Sequence, residues 1–78
     1  MADPNEIAAL KASFRGAVAT AEALAALGPS IEPLDAGAEI GAADLEAIAR
    51  VTLAHAVAAQ ALRGLVNTMR ARRGTPAA

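Results

Sequence analysis

Apolar positions Ile7, Leu10, Phe14, Ala17, Ala21 and Leu24 recur at alternating steps of three and four residues, the spacing that gathers side chains on one side of an α-helix. The segment opens with Asp3-Pro4-Asn5-Glu6. That is an acidic N-cap, a proline at the first helical position, and a glutamate able to reach back to the cap amide. It closes at Gly28-Pro29, a glycine suited to the C′ position followed by a residue that cannot prolong the ladder. The pattern predicts a first helix over residues 4–27. Gly16 lies inside it at about 1 kcal/mol relative to alanine, a loss that the close approach of another backbone would offset.

A second stripe reads Leu45, Ile48, Val51 or Thr52, His55, Ala58 or Ala59, Leu62, Leu65 or Val66, and Met69. This heptad-like spacing persists for more than three heptads and predicts a second helix over residues 42–72, ended by Gly74-Thr75-Pro76. Asp44 and Glu46 at its start, and Arg70, Arg72 and Arg73 at its end, complement the helix dipole. The intervening residues 28–40 contain two prolines and two glycines and are too long for a tight turn. Ile31, Leu34 and Ile40 should fold this linker back over the end of a hairpin, with a helical turn around residues 33–37. Residues 1–74 read as one hairpin and residues 75–78 as a disordered tail, with no internal repeat.

Folding the hairpin so that facing residue numbers sum to about 68 sets Leu10 near Ala58, Phe14 near Ala54 or His55, and Glu6 near Leu62 or Arg63. The last two turns of the second helix, with Leu65 and Met69, then overhang the first by about 10 Å at 1.5 Å per residue, and Asp3 and Glu6 meet the arginines only at a rim. Leu53 and Val57 fall outside the stripe, flanked by Ala54, Ala56 and Ala61. The apolar arc is wider than one helix covers. The expected fold class is all-α: an antiparallel two-helix hairpin assembling into a four-helix bundle or larger helical oligomer.

Composition sharpens that expectation. The chain has 78 residues, and 24 of its 43 apolar residues are alanines, so only 19 apolar side chains exceed a methyl group. A domain of this size buries only about 60% of the surface its unfolded chain exposes, and at roughly 0.8 kcal/mol per buried CH₂ an alanine-built interface gains little. One phenylalanine, no tryptophan or tyrosine, and no cysteine leave few substitutes, so a partner is the remaining source of stability. Ile7, Leu10, Phe14, Leu24, Ile48, Val51, His55, Leu62, Leu65 and Met69 are the expected interface residues.

The net charge of −1 argues against nucleic acid as a partner. Its distribution is uneven: six acids and no Lys or Arg from Glu22 to Glu46, then five arginines and no acid from Ala47 onward. The start lacks a signal-peptide profile, which points to the cytoplasm. The longest charge-free segment, Val51 to Leu62, has twelve residues, short of the roughly twenty a membrane span needs.

Candidate chemistry is sparse. His55, the single histidine, could serve as a proton switch or as one ligand of a metal or tetrapyrrole shared between copies. With no Cys, Asp or Glu three or four residues away, the expected role is a partly buried side chain bonded to Ser13 or a helix carbonyl. Asp44 and Glu46 point to different helix faces, and Glu32, Asp35 and Glu39 lie on the linker without a shield that would separate their acidities. Ser13 near His55 lacks an orienting acid and oxyanion donors. The expectation is therefore a protein that is not an enzyme and takes no cofactor. Arg63, Arg70, Arg72 and Arg73 form a basic end that could contact phosphate or an anionic membrane surface, but a solvated helix terminus complementing the dipole is the favoured explanation.

From Leu24 to Asn67 the chain resembles the killing-trait proteins that polymerise into bacterial R-bodies. Leu27-Gly28 precedes a Pro/Ala loop, and the second helix carries Ala56-Val57-Ala58-Ala59-Gln60. The longer glutamine run and the second-helix aromatic of that family are missing. The resemblance implies a self-assembling structural subunit, which matches the leading expectation here, a self-associating helical subunit. The alternative is a small adaptor that docks the overhanging end of its second helix onto a larger protein.

Overall fold

The computed structural model describes residues 3–74, and every regular element among them is helical: α1 (Pro4–Ala25), α2 (Gly28–Ile31) and α3 (Ala42–Arg72). The start of α1 follows from its first four residues. The Asn5 N–H donates to Asp3 Oδ1 at 2.9 Å, and the Asp3 N–H donates to Glu6 Oε1 at 3.4 Å, so two otherwise unpaired amides of the first turn are satisfied.

The exit from α1 differs from expectation. The helix stops at Ala25, and Ala26 and Leu27 keep right-handed dihedrals. Gly28 is not in the left-handed region. It opens the short helix α2, with Pro29 in the first turn where a missing N–H loses nothing. Gly28-Pro29 thus starts an element instead of ending one, and the helical turn expected at residues 33–37 sits earlier, at Gly28–Ile31. Beyond it Asp35 closes a turn, its carboxylate accepting from the Gly37 N–H at 3.2 Å and its carbonyl from the Ala38 N–H at 3.1 Å.

Helix α3 follows the predicted bounds. Gly41 precedes it with extended dihedrals, and Gly74 follows it at φ +59°, the left-handed residue that accommodates a C-terminal cap without a Cβ penalty. The expected tail at residues 75–78 lies outside the described residues.

Helices α1 and α3 pack against each other as an antiparallel hairpin. Half-buried positions on α3 are Ile48, Val51, His55, Ala58, Leu62, Leu65 and Met69, and those on α1 are Glu6, Leu10, Ser13, Gly16, Ala17 and Thr20. The α3 set steps by three and four, as does the α1 set apart from the adjacent pair Gly16 and Ala17, so one narrow seam joins the helices. No described residue is fully buried. The molecule is a rod of 55 × 27 × 17 Å with a radius of gyration of 17.6 Å, against about 11.5 Å for a compact domain of this length.

The register of that seam departs from expectation. Thr20 meets His55 and Glu6 meets Arg72, so facing numbers sum to 75–78, one heptad or slightly more from the expected 68. A one-heptad slide leaves the same stripe of α3 in contact, which is why its periodicity alone does not exclude it. The consequence is that the end of α3 does not overhang: α1 runs alongside it. The unmatched turns are instead the first ones of α3; they are exposed up to Ala47, and the connector borders a cavity beside Ala47 and Ile48.

Gly16 and Gly64 both lie in helix interiors, and a methyl group added at either meets no atom within 4 Å. Gly16→Ala and Gly64→Ala are each expected to raise stability by about 1 kcal/mol through helix propensity. Thermal unfolding followed by circular dichroism at high dilution checks this, and a loss of stability at either site would show that these glycines serve a contact outside the single hairpin.

Candidate association surface

The structure sorts the expected interface residues into two groups. Leu10, Ile48, Val51, His55, Leu62, Leu65 and Met69 lie in the α1/α3 seam. Ile7, Phe14 and Leu24 are exposed, Phe14 at 57%. The predicted inner stripe of α1 is therefore shifted: Leu10 and Ala17 keep their expected places, while Ser13 and Thr20 meet α3 in place of Phe14 and Ala21. Bulky residues on the α3 side of the seam leave room opposite for small ones, and the helices approach on that side of α1.

His55 sits in the seam, half-buried, with Nδ1 2.9 Å from Thr20 Oγ1. The same hydroxyl is 3.0 Å from the carbonyl oxygens of Gly16 and Ala17. A threonine has one proton to give, so when it donates to a carbonyl the imidazole donates to Oγ1, and when it donates to the ring nitrogen the carbonyls are not its acceptors. The expected partner, Ser13, is displaced by the heptad shift. Thr20 was detectable in principle, standing seven residues after Ser13 on the same side of α1.

The basic end is also partly engaged. Arg72 Nη1 donates to Glu6 Oε2 in an ion pair whose arginine is mostly exposed, which limits its value to about 1 kcal/mol or less. Arg70 and Arg73 border a groove with Leu10, Val66 and Met69, and Arg63 is exposed. At the opposite end a cavity of about 250 Å³ lies between the connector and the start of α3, lined by Leu27, Ile31, Leu34, Ile40 and Ile48, with Glu39 and Asp44 at its edge. It is where the apolar linker residues fold back, as their spacing implied.

One side of the hairpin is markedly apolar. In an antiparallel pair, residues one position after the seam project to the same side of both helices. On α1 these are Ile7, Lys11, Phe14 and Val18, and on α3 Leu45, Ala49, Thr52, Ala56, Ala59, Arg63, Val66 and Arg70. Ile7, Phe14, Val18, Leu45 and Val66 are all exposed large side chains. The other side offers mainly alanines and Gly64, while Leu53 and Val57 face away from α1 at the back of α3. Sequence reasoning identified Ile7 and Phe14 but missed Val18, Leu45 and Val66 as members of the same patch.

Among the described residues no group of three or more His, Cys, Asp or Glu is placed to hold a metal ion, and no helix is long and apolar enough to cross a membrane. In comparisons with family models, curated proteins and solved structures, nothing matches this chain, so the resemblance around Leu27-Gly28 and residues 56–60 gains no support from them.

Thr20→Val keeps the shape of the side chain and removes its hydrogen bond to His55. A loss of about 0.5–1.5 kcal/mol is expected, and a double-mutant cycle with His55→Ala should return a coupling energy above zero. Strict additivity in that cycle would show that the pair does not help hold the register.

Proposed function

We propose that this chain is a non-enzymatic helical protein that self-associates and acts as a structural or assembly subunit. One observation carries the reading: a chain of 7.7 kDa exposes 6053 Å², where a folded monomer of that mass exposes about 4300 Å². The excess is larger than the ~800 Å² that each partner buries in an interface of standard size. The surplus surface includes the exposed large apolar side chains of Ile7, Phe14, Val18, Leu45 and Val66. A patch of that kind on a water-exposed rod is the usual mark of an interaction site.

Self-association is favoured over the adaptor alternative because the feature that motivated the latter, a free end of the second helix, is absent: α1 flanks that end and Glu6 holds Arg72. The groove beside Leu10, Val66 and Met69 is shallow and continuous with the apolar side, so it is read as part of the same association surface.

Light scattering behind size exclusion should return a mass of at least twice 7.7 kDa. Phe14→Glu, at a position outside the seam, should lower that mass towards a single chain. Leu62→Glu, inside the seam, should lower both mass and helicity. A wild-type protein of single-chain mass that melts cooperatively at high temperature would overturn the proposal.

A further inference from the structure

We infer that the apolar side carrying Ile7, Phe14, Val18, Leu45 and Val66 is covered by a second copy of this chain running in the opposite direction, the acidic connector end of each hairpin lying beside the basic open end of the other. The inference rests on the self-association proposed above and adds the surface, the orientation and the charge pairing.

Folding converts a sequence asymmetry into a spatial one. Residues 22–50 hold six carboxylates and one cation, Arg50, while the remaining described residues hold six cations and two carboxylates, Asp3 and Glu6. Because the hairpin is antiparallel, residues 22–50 occupy one end of a 55 Å rod and the remainder the other. The molecule is therefore an electrically dipolar rod with a negative connector end and a positive open end.

The apolar side carries this asymmetry. Lys11 and Arg63 lie one position after the seam, in the open-end half, and are exposed. A second copy stacked in parallel on this side would set Lys11 and Arg63 against their own counterparts and the acidic ends against each other, and like charges in apposition oppose association. A two-fold axis lying in the plane of the contact, at right angles to the rod, reverses the second rod, sets the basic open end of each copy beside the acidic connector end of the other, and lays Phe14 and Val18 near the middle of the contact. Such an interface is isologous and closed, with the same patch used by both copies. End-to-end contact also pairs acid with base, but it leaves the apolar flank in water.

The chain contains no cysteine, so orientation is measurable with single introduced labels. Gly37 is a suitable connector site: its φ is not positive, and a side chain there meets only Asp35 Oδ1, at 4.0 Å. Spin-labelled Gly37→Cys protein should give inter-copy distances approaching the 55 Å rod length, and a mixture of Gly37→Cys with Ala71→Cys at the open end should give short ones. In unlabelled protein, Lys11→Glu combined with Arg63→Glu should raise the dissociation constant tenfold or more at low salt, and added salt should shrink that difference. Short distances between Gly37 labels in a dimer would overturn the antiparallel arrangement and leave the subunit reading standing. Mass that grows without limit with concentration would replace it with end-to-end assembly, and a single-chain mass would remove both readings. An unchanged dissociation constant in the charge-reversed variant would show that these charges do not set the orientation.

Discussion

A single antiparallel seam between α1 and α3 holds the described chain together, and most other features follow from how narrow it is. On α3 the seam presents Ile48, Val51, Leu62, Leu65 and Met69, while α1 answers with Leu10, Ser13, Ala17 and Thr20. Large side chains on one helix meet small ones on the other, so the backbones approach without a second layer. Two helices have only one mutual side, and each residue on it is covered from one direction. Partial burial is what such a geometry provides, and none of the described residues is fully buried. The apolar contribution per residue is correspondingly a fraction of the 1.5–3 kcal/mol that full burial of a Leu or Val supplies.

Polar groups within the seam restrict how the two helices can slide. Apolar heptads tolerate displacement by seven residues because each apolar position finds another apolar position. A histidine does not, since a half-buried ring nitrogen without a partner loses hydrogen-bond energy. Thr20 supplies that partner, and Glu6 with Arg72 supplies a second constraint five turns away along α3. Polar residues at seam positions are an established way of specifying register in helical assemblies at some expense in stability. Here they choose between arrangements that the apolar pattern leaves nearly equivalent.

The small size of the chain and its alanine content connect this seam to association. A wider arc of apolar residues on α1 and α3 than one contact can cover leaves an exposed side, and Phe14, the largest apolar side chain, stands on it. In a single-copy protein that residue would be expected inward. Its outward position is consistent with a core completed between copies, in the manner of a helical bundle. In the same geometry His55 stands against Thr20, and every carboxylate but that of Glu6 lies on exposed surface.

The helices themselves were legible in the residues. Asp3-Pro4-Asn5-Glu6 places the start of α1 through local hydrogen bonds, and Gly74 ends α3 through a left-handed dihedral that only local chemistry requires. The α3 seam was also visible, since its three-four spacing is a property of one helix alone. Gly28-Pro29 misled because the pair suits the first turn of a new helix as well as the end of an old one. What no local pattern contains is the relation between helices: which side of α1 turns inward and how far it slides along α3. Those depend on pairing between residues 35 and 66 positions apart in sequence. Repeating apolar positions make neighbouring registers nearly equal in energy, so only the assembled hairpin decided that Thr20 faces His55 and that Phe14 faces outward.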